Sequence, residues 1–162
     1  MGQTDDRLIE LGLELPPEIQ APPGVVLPFS FVNIRGDRAL ISGHGPQSPE
    51  GPPAPPFGQV GGNVSLDEAV AAARLTALSM LGSLQRSLGS LDRVTGWLRV
   101  FGMVNSAPGF DRQPTVINGF SNVILDVFGA EVGRHARSAV GMAALPFGMP
   151  VEIEAEVGIR YP

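Results

Sequence analysis

Apolar and polar positions recur along this chain with two different periods, and the changes of period mark out its elements. Leu8, Ile9, Leu11, Leu13 and Leu15 stand among acidic residues, which predicts a short helix or arm over residues 4–15. Pro16-Pro17 ends it, and Pro22-Pro23-Gly24 leads onward. Residues 29–35 and 38–43 flank Gly36-Asp37 and fit two antiparallel strands joined by a tight turn. Ser65-Leu66-Asp67-Glu68 is a capping box, and behind it Ala69, Ala73, Ala77, Leu81, Leu84 and Leu88 recur at helical spacing up to Gly89. A strand is expected over residues 93–104, with Gly96 and Gly102 as candidate bulges. Pro114 opens a second long helix, which Gly129 should end. Two last strands, 136–145 and 151–159, are joined by a segment with Pro146 and Pro150 at its ends. The order predicts one α/β domain, a single sheet with two helices on one face. We divide the chain into an N-terminal arm, residues 1–24, and a folded domain, residues 25–162.

Composition narrows the chemistry. The chain has 162 residues, 43% of them hydrophobic, enough for a core that needs no staple. It contains no cysteine, and all eleven basic residues are arginine. A thiol nucleophile, a thiolate metal site, a Schiff-base lysine and a P-loop lysine are therefore excluded. A formal net charge of −5 argues against a protein that lives on nucleic-acid phosphate. No run of 18 apolar residues predicts a membrane span, and the acidic N-terminus is unlike a secretory leader, so a soluble cytoplasmic protein is expected. Six prolines within residues 46–56 predict a stiff surface connector, with a docking site for an aromatic groove as the rarer use of such a segment.

Candidate chemistry gathers near the C-terminus. Val151, Ile153, Ala155 and Val157 alternate with Glu152, Glu154 and Glu156, which places three carboxylates on one face of a strand. That face is either solvated or closed by a second subunit, and closure would leave a partly desolvated carboxylate beside a cleft. Arg137 stands at the mouth of an otherwise uncharged strand, as a surface charge or as a fork for a carboxylate. If the last two strands pair as an antiparallel hairpin, Arg137 falls near the far end of the final strand. Ser42-Gly43-His44-Gly45 would allow close approach of a ligand to main chain, although it does not complete a dinucleotide fingerprint. His44 and His135 lack the spacing of a metal pair, and no cofactor is expected. Asn118, early in the second helix, faces either solvent or a pocket.

The stretch Gly133-Arg-His-Ala-Arg137-Ser-Ala-Val140, then Leu145-Pro146, then Val151-Glu-Ile-Glu-Ala155, resembles the C-terminal signature of the RidA/YjgF family. Its members are also labelled endoribonuclease L-PSP or reactive-intermediate (enamine/imine) deaminases. The resemblance spans roughly residues 29–157, and Gly102-Met-Val-Asn-Ser-Ala-Pro108 is similar to one of its less-studied branches. It implies a chorismate-mutase-like fold assembled as a homotrimer with clefts between subunits. It also implies that Arg137 grips a substrate carboxylate and that Glu152 positions the water attacking a 2-imino acid. Asn118 and the main chain at Gly43 would complete the cleft. Three positions depart from the deaminating pattern: Phe29 replaces a tyrosine, His44 an amide side chain, and Ala139 a cysteine. The expected function is hydrolysis of enamine- or imine-derived 2-imino acids to 2-oxo acid and ammonia. A non-catalytic trimer binding small carboxylates is the alternative, and the endoribonuclease of the family label is a weaker one.

Overall fold

The computed structural model describes residues 2–160. Its elements run α1 (Gln3–Glu10), β1 (Val32–Arg35), β2 (Arg38–His44), α2 (Leu66–Leu88), β3 (Val94–Asn105), α3 (Gln113–Gly133), β4 (Ala136–Met142) and β5 (Val151–Ile159). The strands form one mixed sheet in the order β1-β2-β5-β3-β4, and β3 with β4 is its parallel pair. Helices α2 and α3 cover one face, and their apolar sides meet Val151, Ile153, Ala155 and Val157 of β5 in a single core.

Local chemistry explains the ends of α2. The Ser65 hydroxyl accepts from Glu68 N–H at 3.2 Å, while the Glu68 carboxylate accepts from Ser65 N–H at 2.8 Å. Gly89 closes the helix at φ 79°, a left-handed position that suits glycine. Along the helix Ala69, Ala72, Ala73 and Ala77 are buried, so the backbone can lie close to its neighbours. Gly119 does the same from α3: a β-carbon there would run into the Val70 carbonyl of α2.

Burial on α2 is wider than a simple stripe. Ser79 and Ser83 are also buried, the first against Gln47 and the second against His44, where the segment after α1 passes close to the helix. The Arg86 guanidinium donates to Pro16 C=O at 3.1 Å, and Gln47 bridges Pro17 C=O at 2.9 Å and the Ser79 hydroxyl at 2.8 Å. The acidic arm is thus docked. Leu8 is buried beneath α1, and the Gln85 amide donates to Asp5 at 2.8 Å. The proline-rich loop folds on itself, with Ala54 N–H donating to Pro46 C=O at 2.9 Å.

Three expectations are corrected. The last two strands do not form a hairpin: β3 lies between β4 and β5 and pairs with both. A parallel β3–β4 pair needs a crossover, which α3 supplies, and the proline-bounded loop then carries the chain past β3. Gly102 is no bulge, since it pairs in register with Ile153 and Ala139. Its missing side chain makes room for Ile117 of α3, which a β-carbon would meet at 2.6 Å. Gly129 breaks the helix at φ 73° without ending it, and a further turn runs on to Gly133.

Candidate functional site

Two clusters of expected site residues form, on opposite faces of the sheet. The first lies where β4, an edge strand, meets the start of α3. Arg137 pairs in register with Val100, whose side chain is buried under the helices, so Arg137 also points to the helix side. There its Nη1 donates to Asn118 Oδ1 at 2.9 Å and to Ser121 Oγ at 3.1 Å, and its Nη2 donates to Pro114 C=O at 3.3 Å. Residues 114, 118 and 121 recur at i, i+4 and i+7, one stripe of a helix surface. No carboxylate pairs with Arg137 among the described residues. Partial burial pushes its guanidinium pKa down, though arginine stays charged at neutral pH. Both Nη1 hydrogens and one on Nη2 are engaged by α3. That leaves Nε–H and the second Nη2–H, and two donors are what a carboxylate takes. Ala139, two residues on, shares this face and packs on the core.

The second cluster lies on the face away from the helices. Glu152 is half-buried, and a β-carbon on Gly43 would fall on its Oε1, so only glycine leaves space for this carboxylate. Burial, and then the neighbouring Glu154, push the Glu152 pKa above the ordinary carboxylate value. Phe29 is on the same face, beside Ser42 and Glu154 in an open concavity of about 740 Å³. Arg38 pairs with Glu156 at 2.8 Å further along.

His44 belongs to neither cluster. Between Ile41 and His44, β2 carries one residue more than β5, because Ile41 pairs with Ala155 and His44 with Ile153. This bulge at Ser42-Gly43 flips the alternation and turns the imidazole inward. Instead of meeting a substrate, His44 is 1% exposed, with Nδ1 at 2.7 Å from Ser42 C=O and Nε2 at 2.9 Å from the Ser83 hydroxyl. A carbonyl only accepts, so Nδ1 carries the proton and Ser83 donates to Nε2.

Register fixes how far apart the clusters are. Arg137 lies in line with Ala155, three residues from Glu152 and two strands across, on the order of 14 Å by strand geometry. One chain therefore does not bring Arg137 and Glu152 to one ligand.

Of the first cluster, sequence reasoning passed over Ser121 and weighed His135 only as a metal ligand. The signal was present: Ser121 is three residues after Asn118 on a helix, and His135 is two before Arg137 at the start of a strand. Among the described residues no group of three His, Cys, Asp or Glu could hold a metal ion. No described helix is long and apolar enough to cross a membrane.

This sheet, its two covering helices and the arginine-bearing edge strand define a class. The chain belongs to the family described as "YjgF/chorismate mutase-like, putative endoribonuclease", whose model matches residues 5–152. Among individual relatives, Protein TCP17 of Trypanosoma cruzi is 42% identical over 159 residues, 98% of this chain and 96% of that one. The crystal structure of an Agrobacterium tumefaciens protein of unknown function is 39% identical at a TM-score of 0.84, covering 96% of this chain and 91% of that one. A Shewanella oneidensis structure titled "putative endoribonuclease" is 27% identical at a TM-score of 0.86, covering 98% and 100% of the two chains.

Proposed function

We propose that this protein is a cytoplasmic hydrolytic deaminase of small 2-imino acids, working in clefts between the subunits of a homotrimer. The observation that carries the reading is the Arg137 guanidinium, held on one side by α3 and presenting two unengaged donors on the other. Asn118 acts by holding that guanidinium, and Ala139 by keeping the strand below it apolar. Glu152, seated over Gly43, is the second half of the site, contributed by a neighbouring copy together with Phe29. Exposed apolar side chains on the outer sheet face, Phe29 at 52% and Leu40 at 44%, favour a second copy covering it.

The substrate carboxylate sits on Arg137. Glu152 accepts a proton from water as the water oxygen bonds to C2 of the imine. The nitrogen takes that proton to give a carbinolamine. Its hydroxyl proton then passes by way of Glu152 to the nitrogen as the C–N bond breaks and C=O forms, and 2-oxo acid and ammonia leave. Water and imine supply every atom, so no cofactor enters. A trimer that binds small carboxylates without turnover is the second reading, favoured by the loss of a hydroxyl at Phe29. Ribonuclease activity is the weakest, given the net charge of −5.

Freshly generated 2-aminoacrylate tests the reading. Purified protein should accelerate ammonia release over buffer, and Arg137→Ala should weaken pyruvate binding by about ten- to a hundredfold, the worth of a charge-assisted pair. No acceleration, alongside pyruvate binding that depends on Arg137, would leave the binding protein and remove the enzyme.

A further inference from the structure

Arg137 is held by a chain of groups that runs back into the aromatic core. His135 Nδ1 lies 2.7 Å from Gly133 C=O, and its Nε2 lies 3.0 Å from Ser121 Oγ. Ser121 Oγ in turn receives Arg137 Nη1 at 3.1 Å. Every proton in this chain can be assigned. The Gly133 carbonyl only accepts, so Nδ1 bears the hydrogen and Nε2 is a lone pair. Ser121 must then donate its single hydrogen to Nε2, which leaves its oxygen lone pairs turned to the guanidinium. The opposite tautomer would set the Nδ1 lone pair against a carbonyl oxygen and leave the Ser121 hydrogen without its ring acceptor.

The surroundings keep the ring in this form. His135 is half-buried beside Trp97, with ring centroids 6.5 Å apart, and Trp97 packs on Phe120 and Phe128. Burial, and after it the Arg137 charge, hold the imidazole pKa below its ordinary value, against the pull of the Gly133 carbonyl. A neutral His135 adds no second positive charge beside the anion grip.

We propose that Ser121 and neutral, Nδ1-protonated His135 are positioning residues that together fix the Arg137 guanidinium for a carboxylate. The proposal rests on Arg137 being the anion grip and on nothing about the later chemistry. Without Ser121 one Nη1 hydrogen loses its acceptor, and the guanidinium can rotate toward water. Without His135 the Ser121 hydrogen loses its partner, and the hydroxyl is no longer locked with a lone pair toward Arg137.

The test uses the full-length protein and pyruvate as probe, with nitrogen-15 spectra of the histidines recorded in parallel. The wild type should show His135 protonated at Nδ1, a signature that needs no variant to fold. Ser121→Ala and His135→Leu should each weaken pyruvate binding roughly three- to tenfold. The double variant should be no weaker than either single one, as expected of groups acting in series. His135→Gln, whose amide oxygen can accept from Ser121, should restore affinity to within about twofold of wild type. An Nε2-protonated His135, unchanged affinities or additive losses would overturn the relay while leaving Arg137 as the grip. Pyruvate binding that survives Arg137→Ala would instead remove the grip itself, and the relay's purpose with it.

Discussion

Glu152→Gln should lower the rate of ammonia release by about two to four orders of magnitude, the usual contribution of a positioned proton acceptor. The substitution keeps shape and removes the ability to take a proton from water. Pyruvate binding should stay within about twofold, because Arg137 and its α3 partners are untouched. A fall in kcat with KM preserved is therefore the expected split. The pH profile adds a second signature. Burial and Glu154 raise the Glu152 pKa above 4.5, and the ionised form is the one that accepts a proton. Activity should accordingly rise with pH along a limb displaced above the ordinary glutamate range, and Glu152→Gln should lack that limb. Equal losses in kcat and in pyruvate affinity would instead make Glu152 a structural support for the Gly43 bulge.

The second large effect concerns stability. Burial pushes the His44 imidazole down to about 4 from 6.5, with nearby Arg86 adding to the shift and the Ser42 carbonyl opposing it. Between those two values the unfolded chain binds a proton that the folded chain refuses. The contribution of neutral His44 is complete above pH 6.5, is lost as pH falls toward 4, and changes no further below that. Its size is about 3 kcal/mol at the usual conversion between pKa and free energy. Urea unfolding of the wild type and of His44→Gln, run at intervals across this window, checks it. Other groups titrate in the same range, among them His135, whose pKa is also lowered, and Glu152, whose pKa is raised. The difference between the two proteins isolates His44. Parallel stability curves would show that His44 takes up its proton without unfolding the bulge.

What the sequence made legible was local. The Ser65–Glu68 box and Gly89 act within one turn of the helix they bound, so their chemistry can be read without a neighbour. The alternation along β5 likewise needs only the period of a strand, and it assigned Glu152 to the correct face. Partner choice was not local. The two last strands follow each other closely, yet β3 separates them, because α3 delivers β4 parallel to β3 before the chain returns. His44 was misplaced by a single extra residue: strict alternation from Ile41 points it outward, and the bulge reverses it. Ser79 and Ser83 look like the polar side of α2 until Gln47 and His44 cover them. Arg137 and Asn118 were recognised by resemblance to a family signature, and their hydrogen bond is present at 2.9 Å. That resemblance did not say that Arg137 and Glu152 leave one chain from opposite faces of its sheet.

This separation makes the shared cleft the claim on which the functional reading turns. Coexpression of Arg137→Ala and Glu152→Gln chains under two affinity tags, with purification of the mixed assemblies, tests it directly. If Arg137 of one copy serves Glu152 of the next, every mixed trimer holds about one cleft in three with both residues intact. Ammonia release from 2-aminoacrylate should then recover to about a third of the wild-type rate, although each parent alone is nearly inactive. Mixed assemblies no more active than either parent would contradict the account.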